Sequence, residues 1–140
     1  MPPIHVDRDG GWAWEGKPLV HDGILLYLKQ NLERDAQGRY WVSVEAGRVP
    51  VIVEDAPYLV EALLADPPRA RLDDGREVPL AAPLALTTSD EHRFYMQAGT
   101  ERALFSRRAH HQLWDGLEED AAGRLHLVLG TDRLAVVLAR

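Results

Sequence analysis

The segment Leu32–Val53 reads LERDAQGRYWVSVEAGRVPVIV, and 85 residues later the chain writes it again, from Leu117 to Leu138, as LEEDAAGRLHLVLGTDRLAVVL. The two copies align without a gap. Asp35 falls on Asp120, Gly38 on Gly123, Arg39 on Arg124 and Arg48 on Arg133, and upstream Leu28 falls on Leu113. Short apolar runs match by chance, but Leu-Glu-x-Asp-Ala-x-Gly-Arg twice in register does not. An internal repeat is therefore the first organising fact of this chain.

Each copy reads as the same small unit. In HDGILLYLKQNLERD the apolar residues Ile24, Leu25, Leu28 and Leu32 recur at helical spacing and form one buried stripe. Asp22 is placed to cap this helix, and Gly38 follows it with the freedom for a left-handed turn. In the second copy Ala109, Leu113 and Leu117 share a helix face, with Phe105 and Trp114 beside it, and Gly123 takes the role of Gly38. Two strands follow each helix: RYWVSV and RVPVIV across Glu45–Gly47, then RLHLVL and RLAVVL across Gly130–Asp132. Pro50 has no N–H to give a ladder, so its strand is expected to be an edge there or to carry a bulge. A hairpin precedes each helix. IHVDRDGGWAW turns at Asp9-Gly10, with Trp12 and Trp14 on one face, and LALTTSDEHRFYM turns near Ser89 to Glu91, with Phe94 and Met96 on one face.

The expected fold class is therefore α+β. It is a duplicated strand–strand–helix–strand–strand unit in two lobes, with mainly antiparallel sheets each packed by one helix. The lobes are expected at residues 1–56 and 57–140, the second including connecting strands over 57–82. Within that connection a hairpin turns at Asp74-Gly75. Propensity makes APYLVEALLA a helix, and an extended strand over Tyr58 to Leu64 is the rival.

The chain has 140 residues and a formal net charge of −6, which argues against a nucleic acid polymer as partner, since phosphate-backbone binding needs a surplus of Lys and Arg. Arg102, Arg107 and Arg108 read as a solvated helix face. With no cysteine, disulfides, thiolate metal sites and thiol nucleophiles are excluded. No apolar run approaches the roughly 20 residues that span a bilayer, and the start of the chain has no signal-like apolar core, so no membrane partner and a cytoplasmic location are expected. His5, Asp7 and Asp9 alternate, but the turn at Asp9-Gly10 breaks the alternation and no metal site is expected. His110 and His111 diverge by about 100° on a helix and cannot serve one site. No nucleophile elbow, phosphate loop or dinucleotide fingerprint is present. No catalytic residue and no cofactor is expected.

Among the aromatics Trp12, Trp14, Tyr40, Trp41, Tyr58 and Tyr95, the adjacent pair Tyr40 and Trp41 must point to opposite faces of their strand, so one of them seeks a second surface. The stretches VDRDGGWAWEGKPL and GRYWVSVEAGRVPVIVEDAPY carry a resemblance to the bacterial Domain of Unknown Function family 1285. It rests on Asp9, Gly10, Trp12, Gly16, Pro18, Tyr40, Trp41 and the run Val53 through Tyr58. The resemblance implies a duplicated α+β fold whose second lobe is superficially similar to pleckstrin-homology-like sheets, and it favours strand over helix for Tyr58 to Leu64. It further implies a non-catalytic, signalling or regulatory protein that binds a small nucleotide-like ligand between its lobes. The residues it points to are Trp41, Arg48, Glu54, Asp55 and Tyr58, with Arg93 and Tyr95 opposite. Aromatics would stack, arginines would meet anionic groups and carboxylates would accept hydroxyl or amine hydrogen bonds. The alternatives are a protein-interaction module that pairs through its sheet edges and, behind it, a hydrolase. Oligomeric state is left open by the residues.

Overall fold

A computed structural model describes residues 2–140. The chain divides into two compact units, one formed by residues up to Pro57 with Asp73–Gly75, the other by Tyr58–Leu72 with Arg76–Arg140.

The first unit is a six-stranded sheet under one helix. In chain order it has β1 (Ile4–Val6), β2 (Trp12–Trp14), β3 (Lys17–Pro18), α1 (Asp22–Gln30), β4 (Leu32–Arg34), β5 (Tyr40–Val44) and β6 (Gly47–Val53). The strands lie in the order β3-β2-β1-β6-β5-β4, antiparallel except where β1 runs parallel to β6. Alternation puts Tyr40, Val42 and Val44 of β5 on the face that α1 covers. Val42, Val6, Trp12, Ile4 and Val51 are buried there, with Leu25, Leu28 and Leu32 packed against them. At Pro50 the sheet is one-sided, because β6 meets β1 only from Val51 onward, so the missing N–H breaks no ladder there.

The second unit is a nine-stranded sheet with one helix. Its elements are β7 (Tyr58–Leu64), β8 (Arg69–Leu72), β9 (Glu77–Pro79), β10 (Leu84–Thr88), β11 (Phe94–Ala98), β12 (Glu101–Phe105), α2 (Arg107–Gly116), β13 (Leu117–Glu119), β14 (Leu125–Leu129) and β15 (Asp132–Ala139). The order is β13-β14-β15-β10-β11-β12-β7-β8-β9, with β10 parallel to β15 and β12 parallel to β7. The first six positions repeat the order of the first sheet. The register repeats too. Tyr40 pairs with Val51 as Leu125 pairs with Val136, Leu32 with Val42 as Leu117 with Leu127, and Ile4 with Val51 as Leu84 with Val136.

Two sequence expectations are corrected here. Each helix is shorter than its apolar stripe suggests. Leu32 and Leu117 open a third strand after the helix, and β3 and β12 (which holds Phe105) add a third before it, so the unit is strand–strand–strand–helix–strand–strand–strand. The reason lies in the turn that follows. Asp35 N donates to Arg39 O (2.8 Å), Gly38 N donates to Asp35 O (3.0 Å), and Asp35 Oδ1 accepts from Gln37 N and Arg39 N (2.9 Å each). This five-residue turn folds β4 onto β5, and Gly38 sits inside it at φ +83° rather than at the helix end. The cap of α1 is also not Asp22 but His21, whose Nδ1 accepts from Ile24 N at 3.2 Å; Ser106 does the same for Ala109 N in α2.

Residues Tyr58–Leu64 are strand, against their helical propensity. Tertiary pairing outweighs the propensity differences of tenths of a kcal/mol per residue. β7 is held on both sides by β12 and β8, and Leu63 is gripped by Gln112 of α2, which accepts from Leu63 N (2.7 Å) and donates to Leu63 O (3.0 Å). β7 thereby covers one flank of α2, including the fully buried Ala109. The first unit has no strand beyond β3, and on α1 the matching residues Ile24 and Tyr27 are exposed.

The same turn closes β1–β2 around Asp7 (Oδ1 to Asp9 N and Gly11 N, 2.9 Å each) and β13–β14 around Asp120 (Oδ1 to Ala122 N, 2.8 Å, and Arg124 N, 3.0 Å). Ser89 leads the version between β10 and β11, its Oγ accepting from Arg93 N at 3.2 Å. The Asp35 carboxyl is held below its ordinary value of 3.8, first by the Trp41 indole N–H and then by Arg39 N; that of Asp120 is lowered first by Arg124 N and then by His126. A depressed carboxyl contributes stability that is full above 3.8 and lost as the pH falls through its folded value. Thermal melts of Asp35→Ala and Asp120→Ala between pH 6 and pH 2 should show a midpoint lowered by a few degrees near pH 6, with the difference from the parent chain shrinking in acid. Leu127→Ala, at a fully buried position, should cost about 2–5 kcal/mol in urea denaturation.

Candidate functional site

The second unit contains an apolar pocket of about 280 Å³ lined by Leu86, Phe94, Trp114, Leu117, Glu118, Glu119, Leu125, Val136 and Leu138. Four elements build it. β10 and β15 run parallel, pairing Leu86 with Leu138 and Leu84 with Val136, which sets Leu86, Val136 and Leu138 on the helix-bearing face. β14 adds Leu125 opposite Val136, and β13 adds Leu117 and Glu119, the latter directly opposite Leu125. Glu118 pairs instead with His126, so its side chain leaves from the other face. Helix α2 packs the fully buried Leu113 into the core and contributes Trp114, 58% exposed, to the pocket lining.

Trp114 is not loose. Its Nε1 donates to His110 Nε2 at 2.8 Å, and both rings pack on Phe94, at 5.9 Å in edge-on geometry for Trp114 and 5.2 Å for His110. Burial, then the neighbouring His111, pushes the His110 imidazole below its ordinary 6.5. The neutral ring is the one that accepts the indole proton. His110 therefore lies against aromatic rings, while His111 is exposed.

Of the residues singled out from the sequence, Trp41, Arg48, Glu54 and Asp55 belong to the first unit and Tyr58, Arg93 and Tyr95 to the second. Trp41 and Tyr40 do diverge, with Tyr40 packed on the core of the first unit and Trp41 on the other face. There Trp41 Nε1 donates to Asp35 Oδ2 (2.9 Å), and the Arg48 guanidinium lies 4.4 Å from its ring centroid. Arg48 also approaches Glu33, which bonds Ser43. Glu54 accepts from Arg8 N at 2.9 Å, a closing bond at the end of β6, and Asp55 follows in the bend. Tyr58 and Tyr95 both carry arginines, Arg76 at 5.0 Å and Arg102 at 4.4 Å from the ring centroids. These two tyrosines do not meet. β12 pairs Ala103 with Tyr58 and Leu104 with Tyr95, and Ala103 and Leu104 face opposite ways. Arg93 closes the Ser89 turn. The structure thus brings together Trp41 with Arg48, and each ring meant for a ligand already has a guanidinium of its own chain over one face.

Asp7, which alternates with His5 and Asp9 in the sequence, uses its carboxylate to hold the β1–β2 turn. Among the described residues no group of three or more His, Asp or Glu side chains is placed to hold a metal ion. Among the described residues no helix is long and apolar enough to cross a membrane. The pocket residues Trp114, Leu125, Glu119 and Leu138 were not singled out as a site by spacing. The signal lay in the mismatches of the repeat: Trp114 stands where the first copy has Lys29, and Leu125 where it has Tyr40.

No family model matches the chain, and no curated protein does. Two solved structures share its fold. A DUF1285 family protein from Silicibacter pomeroyi DSS-3 is similar over 98% of this chain and 85% of its own, with a TM-score of 0.69 and 19% identity. A second, from Shewanella baltica OS155, is similar over 76% of this chain and 86% of its own, with a TM-score of 0.56 and 18% identity. The likeness expected from the sequence is thus found at the level of fold.

His110 supplies a pH test of the site. A lowered folded value means its stability contribution is full above 6.5 and lost progressively as the pH falls below 6.5 and through the folded value. Protonation also removes the acceptor for Trp114. Tryptophan fluorescence followed from pH 8 to pH 5 should show a reversible transition that His110→Phe abolishes and His5→Phe leaves intact.

Proposed function

We propose that this chain is a non-catalytic binding protein, serving in signalling or regulation, that holds one small, mainly apolar molecule in the pocket of its second unit. The observation that carries this reading is an exposed tryptophan fixed by His110 at the mouth of an apolar cavity of about 280 Å³. Ligand sites are concave, mostly apolar and supplied with a few placed polar groups, and a hydrogen-bonded aromatic at the rim is pre-organised for contact.

The repeated strand order, register and turns support reading the chain as one duplicated unit. The first copy is then scaffold and the second carries the site, because it has leucine where the first has the larger Tyr40.

A nucleotide-like ligand is the second reading, and the Arg48–Trp41 stack is what favours it, since it offers a cation beside an aromatic platform. Partner pairing through sheet edges is less favoured. The edge strands β3, β4, β9 and β13 are two or three residues long and carry Lys17, Pro18, Glu33, Arg34, Glu77, Pro79, Glu118 and Glu119, the features that blunt an edge.

A thermal-shift panel of apolar small molecules and nucleotides separates the readings. A pocket ligand at about 100 times its Kd should stabilise the parent chain by about 2.7 kcal/mol. The shift should disappear in Leu125→Tyr, which installs the side chain that the first copy carries at the matching position. A nucleotide-dependent shift that survives Leu125→Tyr and is lost in Trp41→Ala would overturn the pocket reading in favour of the second.

A further inference from the structure

The chemistry of the pocket wall narrows the ligand class, and this step rests on the pocket reading above. The walls are leucine, valine and aromatic side chains. The charged residues among them are the two glutamates, and no Lys or Arg lines the cavity. Strand register places the Glu119 side chain on the same face as Leu117 and Leu125, next to the cavity, and directs Glu118 toward His126 on the other face. Glu119 therefore stands alone as the charged side chain on the cavity side, at the exposed outer strand β13.

Trp114 adds to this. Its indole N–H is committed to His110 and its ring plane stands at 77° to that of Phe94, so what it offers a ligand is π surface. The face of an indole carries negative electrostatic potential and attracts cations. An apolar body seated in the cavity would strip water from the rim beside a carboxylate. A neutral ligand leaves that carboxylate less solvated without compensation, and an anion adds repulsion. A cation joined to the apolar body compensates both. The acidic balance of the whole chain, 22 Asp and Glu against 16 Lys and Arg, points the same way for the long-range field.

We infer that the pocket recognises an amine: a protonated nitrogen held between the Glu119 carboxylate and the Trp114 ring face, attached to a compact apolar or aromatic body packed on Leu86, Leu125 and Val136. At about 30 Å³ per water-sized unit, the cavity of about 280 Å³ takes a ligand on the order of nine or ten non-hydrogen atoms.

The probes are phenylpropylamine, phenylpropanol and phenylpropionate, which share ring and spacer and differ in the terminal group. Binding to the full chain is measured by calorimetry at pH 7.5 and low salt. Phenylpropylamine should bind at least tenfold more tightly than phenylpropanol, and phenylpropionate should bind more weakly than either. Glu119→Gln should bring the amine to within threefold of the alcohol, while Glu118→Gln keeps the tenfold preference. Alcohol or acid binding as tightly as the amine, with all binding lost in Leu125→Tyr, would overturn the amine inference and leave the pocket reading standing. Binding of none of the three, or binding unaffected by Leu125→Tyr, would overturn both. Equal melting temperatures for Glu119→Gln, Glu118→Gln and the parent chain guard against reading misfolding as lost recognition.

Discussion

The structure depends on a five-residue turn in which one oxygen-bearing side chain accepts backbone N–H groups two and four residues ahead. Asp7, Asp35 and Asp120 make both bonds, and Ser89 makes the second. A hairpin's register is set by its turn, and a slip of one residue would move every apolar side chain to the wrong face. These turns fix β1 on β2, β4 on β5, β10 on β11 and β13 on β14. The fourth residue of each turn has positive φ: Gly10, Gly38 and Gly123 between 80° and 88°, and His92 at 62°. Glycine holds that conformation without strain, and a histidine there does so at some cost. From the two turns after the helices follow the short helices, the extra strand in each unit and the faces on which Tyr40, Trp41, Leu125 and His126 emerge.

The two sheets share strand order and register, yet their side chains differ at particular matching positions. At the strand position facing the helix, Tyr40 fills the core of the first unit and Leu125 opens a cavity in the second. On the helix, Lys29 of the first unit makes a largely buried ion pair with Asp73 (3.2 Å), and its counterpart Trp114 reaches out over Phe94. The turn carboxylate also has a different second partner in each unit. Asp35 Oδ2 accepts from the Trp41 indole at 2.9 Å, and Asp120 Oδ2 meets His126 Nε2 at 3.1 Å. The turn residues Asp35 and Asp120 are the same in both units, while side chains on both the helix-facing and the outward faces differ.

Much of the frame was legible in the residues because its determinants are local. Leu-Glu-x-Asp-Ala-x-Gly-Arg, read twice, located both helices and both following hairpins, and Asp9-Gly10 and Asp74-Gly75 marked turns that are present. The short helices were missed because Leu32 and Leu117 continue the helical stripe at the right spacing. What ends each helix is the pull of the turn three residues on, a bonding pattern that periodicity does not register. Tyr58 to Leu64 has a helical composition, and only the partners β8 and β12 and the grip of Gln112 decide for strand. The pocket was illegible for a related reason. It is a volume left by Leu125 between elements far apart in sequence, and alternation shows which side a residue faces but not whether anything fills the space. Alternation shows that Tyr40 and Trp41 diverge but not which of them faces outward, and the satisfaction of Trp41 by Asp35 and Arg48 is a cross-strand matter that spacing along one strand does not reveal.

The chain has four tryptophans, each with its own indole N–H resonance, and they report on four different places: Trp12 in the first core, Trp14 near the edge of the first sheet, Trp41 on the outer face of that sheet, and Trp114 at the pocket. Titrating the nitrogen-labelled chain with phenylpropylamine and following these four signals tests the central claim directly. The Trp114 signal should move in a saturable way while the other three hold still. Movement of the Trp41 signal with Trp114 unchanged would contradict that claim and return the site to the first unit.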